Sequence, residues 1–216
     1  MKTIATLTAA IALSACAANA QTGARPLTVG PYQVSEFDIS QYSQEQTECD
    51  RLAANPDDPN RVAEGREKAE MDLPAVVTAC RAAVAAEPDN PRLNYQLARV
   101  LGYSGKGEEA MQYRIRAVNA GYPQSLFVIG YIHMLGQEIA QDKCLGGELM
   151  RLSGLRGRIA GQVGFPYYAL DGQFDGCDVK MDKVEMLGML DAAEPRSYYE
   201  RLLVSSLKAR VSAEMD

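Results

Sequence analysis

Tryptophan is absent from the chain, phenylalanine occurs four times and histidine once. Leucine, alanine, valine and the 11 tyrosines must therefore fill the interior. No CxxC occurs and His133 stands alone, so the ligand spacing of a zinc site is missing and neither a metal nor a cofactor is expected. Positive charge is in deficit. Against 28 Asp and Glu there are 22 Lys and Arg, a net charge of −6. Nucleic-acid binding needs a basic face and is excluded as a function class. Beyond the N-terminal segment no run approaches the roughly 18 apolar residues of a membrane span. What remains, with 47% apolar and 23% charged residues in 216, is one globular domain with a leader and a linker.

The first 20 residues have the pattern of an export signal: Lys2, an apolar stretch from Ile4 to Leu13, then small residues. The apolar stretch is too short to span a bilayer. Two cleavage readings stand side by side. Leu13-Ser14-Ala15-Cys16 has the form of a bacterial lipobox, which would leave Cys16 lipidated at the mature N-terminus. Ala18-Asn19-Ala20 before Gln21 has the form of an ordinary signal-peptidase site. Both place the mature protein outside the cytoplasm, in the periplasm or anchored to the outer membrane, with a lipid anchor as its only link to the bilayer. Four cysteines then remain: Cys49, Cys80, Cys144 and Cys177. An even number in an oxidising compartment implies disulfides. Three pairings are open, and proximity in sequence favours Cys49–Cys80 and Cys144–Cys177.

Residues 21–42 show no helical period and are rich in Pro, Gly, Gln and Ser, which reads as an extended tether that Tyr32, Val34 and Phe37 could dock. A helical lead-in occupies 43–89, broken by the Pro-Asp-Asp-Pro turn at 56–59. Over 90–194 helix signals recur. Asn90-Pro91 opens a helix with Leu93, Leu97 and Leu101 on one face, Gly121 closes the next, Pro123 opens another, and Asp142 caps a fourth. Further helices are expected near 158–170 and 179–192, and a C-terminal capping helix lies in 195–216. No alternating run is long enough to argue for a sheet. Gly121, Tyr131, Gly136 and Asp142 recur as Gly157, Tyr167, Gly172 and Asp178, each at an offset of 36. Such a period, with two helices per unit, predicts an all-α fold: an α-solenoid of stacked antiparallel helix pairs.

The motif on this period resembles that of the Sel-one-like repeat family, relatives of the tetratricopeptide repeats. Ser125, Ile129, Gly130, His133 and Gly136 stand where that family's first-helix pattern has its small, apolar and aromatic positions. Asp142, Gly146, Leu149-Met150, Ser153-Gly154 and Gly157 match its second helix. An earlier second helix (Ala110, Tyr113, Ala117, Gly121) fits better, with a preceding loop about four residues shorter. A third unit (Gly161, Phe165, Pro166, Gly172, Asp178) has drifted, and Pro166 should kink its helix. The lead-in, "CDRLAANPDDPNR" and "ACRAAVAAEPDNPRLNYQLAR", is similar to that of exported bacterial members. The resemblance covers roughly residues 49–195 and implies a fold more than a function.

Motifs of chemistry are sparse. The resemblance puts His133 at an aromatic packing position. Ser205–Lys208 matches SxxK of penicillin-binding enzymes, but SDN and KTG are absent. Asp171, Gln173, Asp175, Gly176 and Asp182 fall at positions 1, 3, 5, 6 and 12 of a calcium loop, with Asp182 in place of the bidentate Glu. Tyr95, Tyr131 and Tyr167 are candidate binding-face aromatics on the concave side, where solenoids take peptides. The sequence therefore reads as a non-catalytic adaptor holding a protein or peptide partner in the cell envelope. The alternatives are a peptidoglycan-binding or peptidoglycan-modifying envelope protein and a structural stabiliser without a dedicated ligand.

Overall fold

A computed structural model describes residues 25–136 and 139–215. The segment expected to be a leader, with Lys2, Cys16 and both candidate cleavage sites, lies outside the described residues. Among the described residues a short hairpin is followed by nine α-helices: α1 (Glu48–Ala53), α2 (Leu73–Ala86), α3 (Pro91–Tyr103), α4 (Gly107–Asn119), α5 (Pro123–Leu135), α6 (Lys143–Leu155), α7 (Ile159–Leu170), α8 (Lys183–Ala192) and α9 (Tyr198–Glu214). Each packs on its neighbour in sequence, most extensively α5 on α6 and α3 on α4. Helices α3/α4, α5/α6 and α7/α8 are the three repeated pairs of an α-solenoid. Two like-with-like contacts close the ends, α1 on α3 and α7 on α9. No described residue of 90–160 is in a strand.

Helix ends follow from local chemistry. Asn90, Asp142, Asp182 and Ser197 cap α3, α6, α8 and α9 through their side chains. Gly121 and Gly157, one period apart, both take positive φ (73° and 85°). At each, the following residue donates back into the helix it leaves: Tyr122 N–H to Ala117 O and Arg158 N–H to Ser153 O. Only glycine takes that conformation without strain. These turns, 120–122 and 156–158, stay three residues long, whereas the connections within pairs, 104–106, 136–142 and 171–182, grow from three to seven to twelve. The cap Asp142 therefore has its structural counterpart in Asp182, not Asp178. That longer loop also moves the start of α8 to Lys183, later than the sequence expectation of 179.

Small residues set the close crossings. A Cβ on Gly130 would lie 2.9 Å from Gly146 O, and one on Gly161 would lie 2.5 Å from Gly154 N. Leu126, Ile129, Leu149, Met150 and Phe165 fill the interior around these contacts. Helix α7 runs on through the buried Pro166 without ending there.

Over its described part, residues 25–42, the extended-tether reading is corrected, while the docking expected of Tyr32, Val34 and Phe37 is found. Strands β1 (Leu27–Val29) and β2 (Tyr32–Val34) form an antiparallel hairpin pairing Leu27 with Val34 and Val29 with Tyr32. Gly30, with φ of 54°, supplies the positive φ of its two-residue turn. Val29, Tyr32 and Val34 are buried against Val118, Leu126 and Leu149. Ser35 N–H bonds Asn119 O, and the Arg156 guanidinium donates to the carbonyls of Ser35 and Gly121. Each strand has only three residues, too few to show an alternation in sequence.

The lead-in is held by a buried ion pair and a disulfide. Arg92 donates to both Asp50 carboxylate oxygens, 2.8 and 3.3 Å away, and Gln96 and Thr47 complete the carboxylate's partners. A disulfide joins Cys49 to Cys80 (Cα atoms 4.5 Å apart), linking α1 to α2. A second joins Cys144 at the start of α6 to Cys177 in the 171–182 connection (5.2 Å). Between α1 and α2 the chain leaves along the repeats. Asn55 donates to Tyr95 Oη, Tyr122 Oη donates to Asp58, Arg158 lies 3.7 Å from Asp57, and Arg196 donates to Pro56 O. This strap thus touches α3, the N-terminal ends of α5 and α7, and the segment before α9.

Candidate binding face

Exposed tyrosines among the described residues lie on α5, α7 and α9, with Tyr198 and Tyr199 of α9 the most exposed (65% and 79%). Tyr131 and Tyr167 are exposed (39% and 43%). Phe127 and Tyr131, one turn apart on α5, stack with ring centres 6.1 Å apart. Tyr167 and Tyr168 meet edge to face on α7. Burial, then the nearby Tyr131 and Tyr167, push the Tyr168 hydroxyl above the ordinary tyrosine value. The Arg158 guanidinium sits 5.5 Å from the Phe127 ring centre. A Cβ on Gly164 would make only ordinary van der Waals contact with Phe127, at 3.7 Å.

Tyr95 is a correction. It is 4% exposed, and its hydroxyl accepts hydrogen bonds from Asn55 and Gln124. The strap covers it, so it packs against Tyr122 and does not present a surface ring. Burial pushes its pKa up to about 12. Tyr122 rises well above its usual value by burial and by the Asp58 carboxylate it donates to. Burial also raises the Asp58 carboxyl, against the hydrogen bonds from Tyr122 and the Asn60 amide. No sequence pattern marks Asp58, because its partners lie on segments remote in the chain.

Between α3 and α5 lies a cleft of about 300 Å³. Arg99, Tyr103, Arg114, Ser125, Val128 and Ile129 are among its lining residues. Arg99 donates to the carbonyls of Ala53, Ala54 and Arg66 and to Tyr103 Oη. The buried Ser125 hydroxyl has no hydrogen-bond partner among the described residues. Sequence reasoning placed Ser125 only as a small helix residue and passed over Arg99. The i, i+4 step from Arg99 to Tyr103 was the available signal.

The other marked residues have structural employment. His133 is buried and its Nε2 lies 3.0 Å from Tyr32 Oη, so it packs the hairpin onto α5. Burial lowers its pKa, with Asp142 and the Ala140 backbone acting in the opposite direction. In the SxxK stretch, Lys208 pairs with Asp191 at 2.7 Å. In the 171–182 stretch, Gln173 donates to Asp171 and accepts from Lys143, while Asp182 caps α8. No group of three or more His, Cys, Asp or Glu that could hold a metal occurs among the described residues.

The order and packing of the helices thus define an α-solenoid of paired helices. The chain is similar to a solved structure of a Sel1 repeat protein from Oxalobacter formigenes, at 17% identity and a TM-score of 0.44, over 65% of this chain and 99% of that one. No family model and no curated protein matches the chain.

Proposed function

We propose that the protein is a non-catalytic scaffold of the bacterial cell envelope that binds a protein or peptide partner on the face built by α3, α5 and α7. The observation that carries this reading is the exposure of Tyr131 and Tyr167, one repeat apart on α5 and α7, each held against a ring neighbour on its own helix. Rigid aromatic side chains give contact area at low entropic cost. Export accords with the N-terminal segment, whose two cleavage readings both lead out of the cytoplasm, and with two disulfides, bonds that are favoured in oxidising compartments.

Photoreactive phenylalanine analogues at Tyr131 and Tyr167 test the face, with exposed Val184 on α8 as control. Both test positions should trap one common species that position 184 does not. Equal trapping at all three positions would reject the assignment. Cys16→Ser tests the anchor: it should shift the protein from the membrane to the soluble periplasmic fraction. An unchanged distribution with a mature N-terminus at Gln21 favours simple secretion.

A further inference from the structure

We infer that the outer face of α9 pairs two copies of this chain, antiparallel, about a two-fold axis. The inference goes beyond the partner face on α5 and α7 and does not depend on it.

A helix that ends a stack of repeats ordinarily turns a polar face to water. Helix α9 does not. Val204, Leu207 and Val211 are buried and fix which side faces inward. On the opposite side Tyr199, Leu202, Ser206, Ala209 and Ala213 are all exposed. Their steps of three, four, three and four are those of helices that pair along a common seam. Leu202 is 55% exposed, and Leu203 beside it 42%. Tyr198 and Tyr199 brace each other edge to face, and the capping box at Ser197 holds the turn that carries them. These four large side chains leave on the order of 500 Å² bare, near the upper end of what a monomer exposes in one patch.

Two properties of the seam select a second copy as its occupant. The first is charge. Lys208 pairs with Asp191, Arg210 pairs with Glu214, Glu200 closes the capping box, and Arg201 lies off the stripe. Pairing therefore strips no charge of water along the seam. A lipid surface calls for a helix with a strongly cationic polar face, whereas α9 carries three basic and two acidic residues in a chain of net charge −6. The second property is shape. The stripe is large at its N-terminal end and small at its C-terminal end. Laid antiparallel on itself, it sets Tyr199 on Ala209 and Leu202 on Ser206 of the second copy. Both pairs share position 204 as midpoint, so one two-fold axis satisfies both and each contact is made twice. A parallel pairing would stack tyrosine on tyrosine and leave a gap between the alanines. Two such patches together bury about 1,000 Å², just under the range of stable interfaces, which makes this a weak dimer with a micromolar Kd.

The test is sedimentation velocity of the purified, disulfide-bonded protein from micromolar to millimolar concentration. A reversible monomer–dimer equilibrium is expected. Leu202→Lys, Ser206→Glu and Ala209→Arg should each weaken it about thirtyfold or more. Their unfolding midpoints in dilute solution should match the wild type, because all three positions are exposed in the monomer. An equimolar mixture of the Leu202→Lys and Ser206→Glu chains should recover the dimer, since position 202 of one copy meets position 206 of the other. A protein monomeric at every concentration, species growing beyond the dimer, indifference to all three variants, or a mixture that fails to recover would each overturn the inference. So would binding to phosphatidylethanolamine–phosphatidylglycerol vesicles that Leu202→Lys abolishes, without self-association, since the face would then belong to the bilayer.

Discussion

Asp58 shows how much one side chain can be asked to do. It is fully buried, it accepts from Tyr122, and burial holds its pKa above the ordinary carboxylate value. A carboxyl whose folded pKa is raised binds protons more tightly in the folded state. Its contribution to stability is present below the unfolded value near 3.8 and is lost as pH rises through the folded value. Asp58→Asn removes that loss. Urea unfolding from pH 4 to pH 7 should therefore show the wild type losing stability relative to the variant as pH rises; parallel curves would mean that Asp58 does not titrate differently on folding. Residues of this kind were illegible in the sequence. Asp58 meets Tyr122, and Tyr95 is covered by Asn55, only because the strap folds back across helices 40 and more residues away. The prolines at 56 and 59 announced a turn and nothing about where it lands.

At the scale of elements the chain was far more readable, because helix boundaries are local. Gly121 and Gly157 end helices through their own backbone freedom, and Asn90 and Asp142 begin them through their own side chains. The hairpin escaped because three-residue strands lack a period, and the start of α8 escaped because its loop had lengthened. Glycines inside helices are of two kinds that sequence cannot separate. Gly161 faces backbone, with a Cβ 2.5 Å from Gly154 N, whereas nothing lies within 4 Å of a Cβ on Gly188 in α8. Gly161→Ala must push α6 from α7 and should cost about 1–3 kcal/mol. Gly188→Ala should stabilise by about 0.5–1 kcal/mol through helix propensity alone. Urea midpoints moving in opposite directions are the expected result, and a neutral Gly161→Ala would show that the crossing is looser than the contact implies.

For the whole molecule, the disulfides act on the unfolded chain. Cys49–Cys80 closes a loop of 31 residues and Cys144–Cys177 one of 33. Loop-closure entropy puts each at about 4 kcal/mol, so a Cys49→Ala, Cys80→Ala double variant should lose a large part of a typical domain's stability. Unfolding of oxidised and variant protein measures the difference directly; indistinguishable midpoints would show that apolar packing and the Asp50–Arg92 pair, which ties α1 to α3, hold the lead-in without the covalent link. The strap has another consequence. An ordinary stack of helix pairs is a one-dimensional array with two free ends, and either end can peel away while the rest persists. Here residues 55–58 are tied to Tyr95, Tyr122 and Arg158, and Pro56 to Arg196 beside the last helix. Head and tail are clasped across the units between them. Neither end can unzip without first releasing the other, so the array should melt as a single cooperative object, and under mechanical load it should resist to one rupture instead of yielding unit by unit.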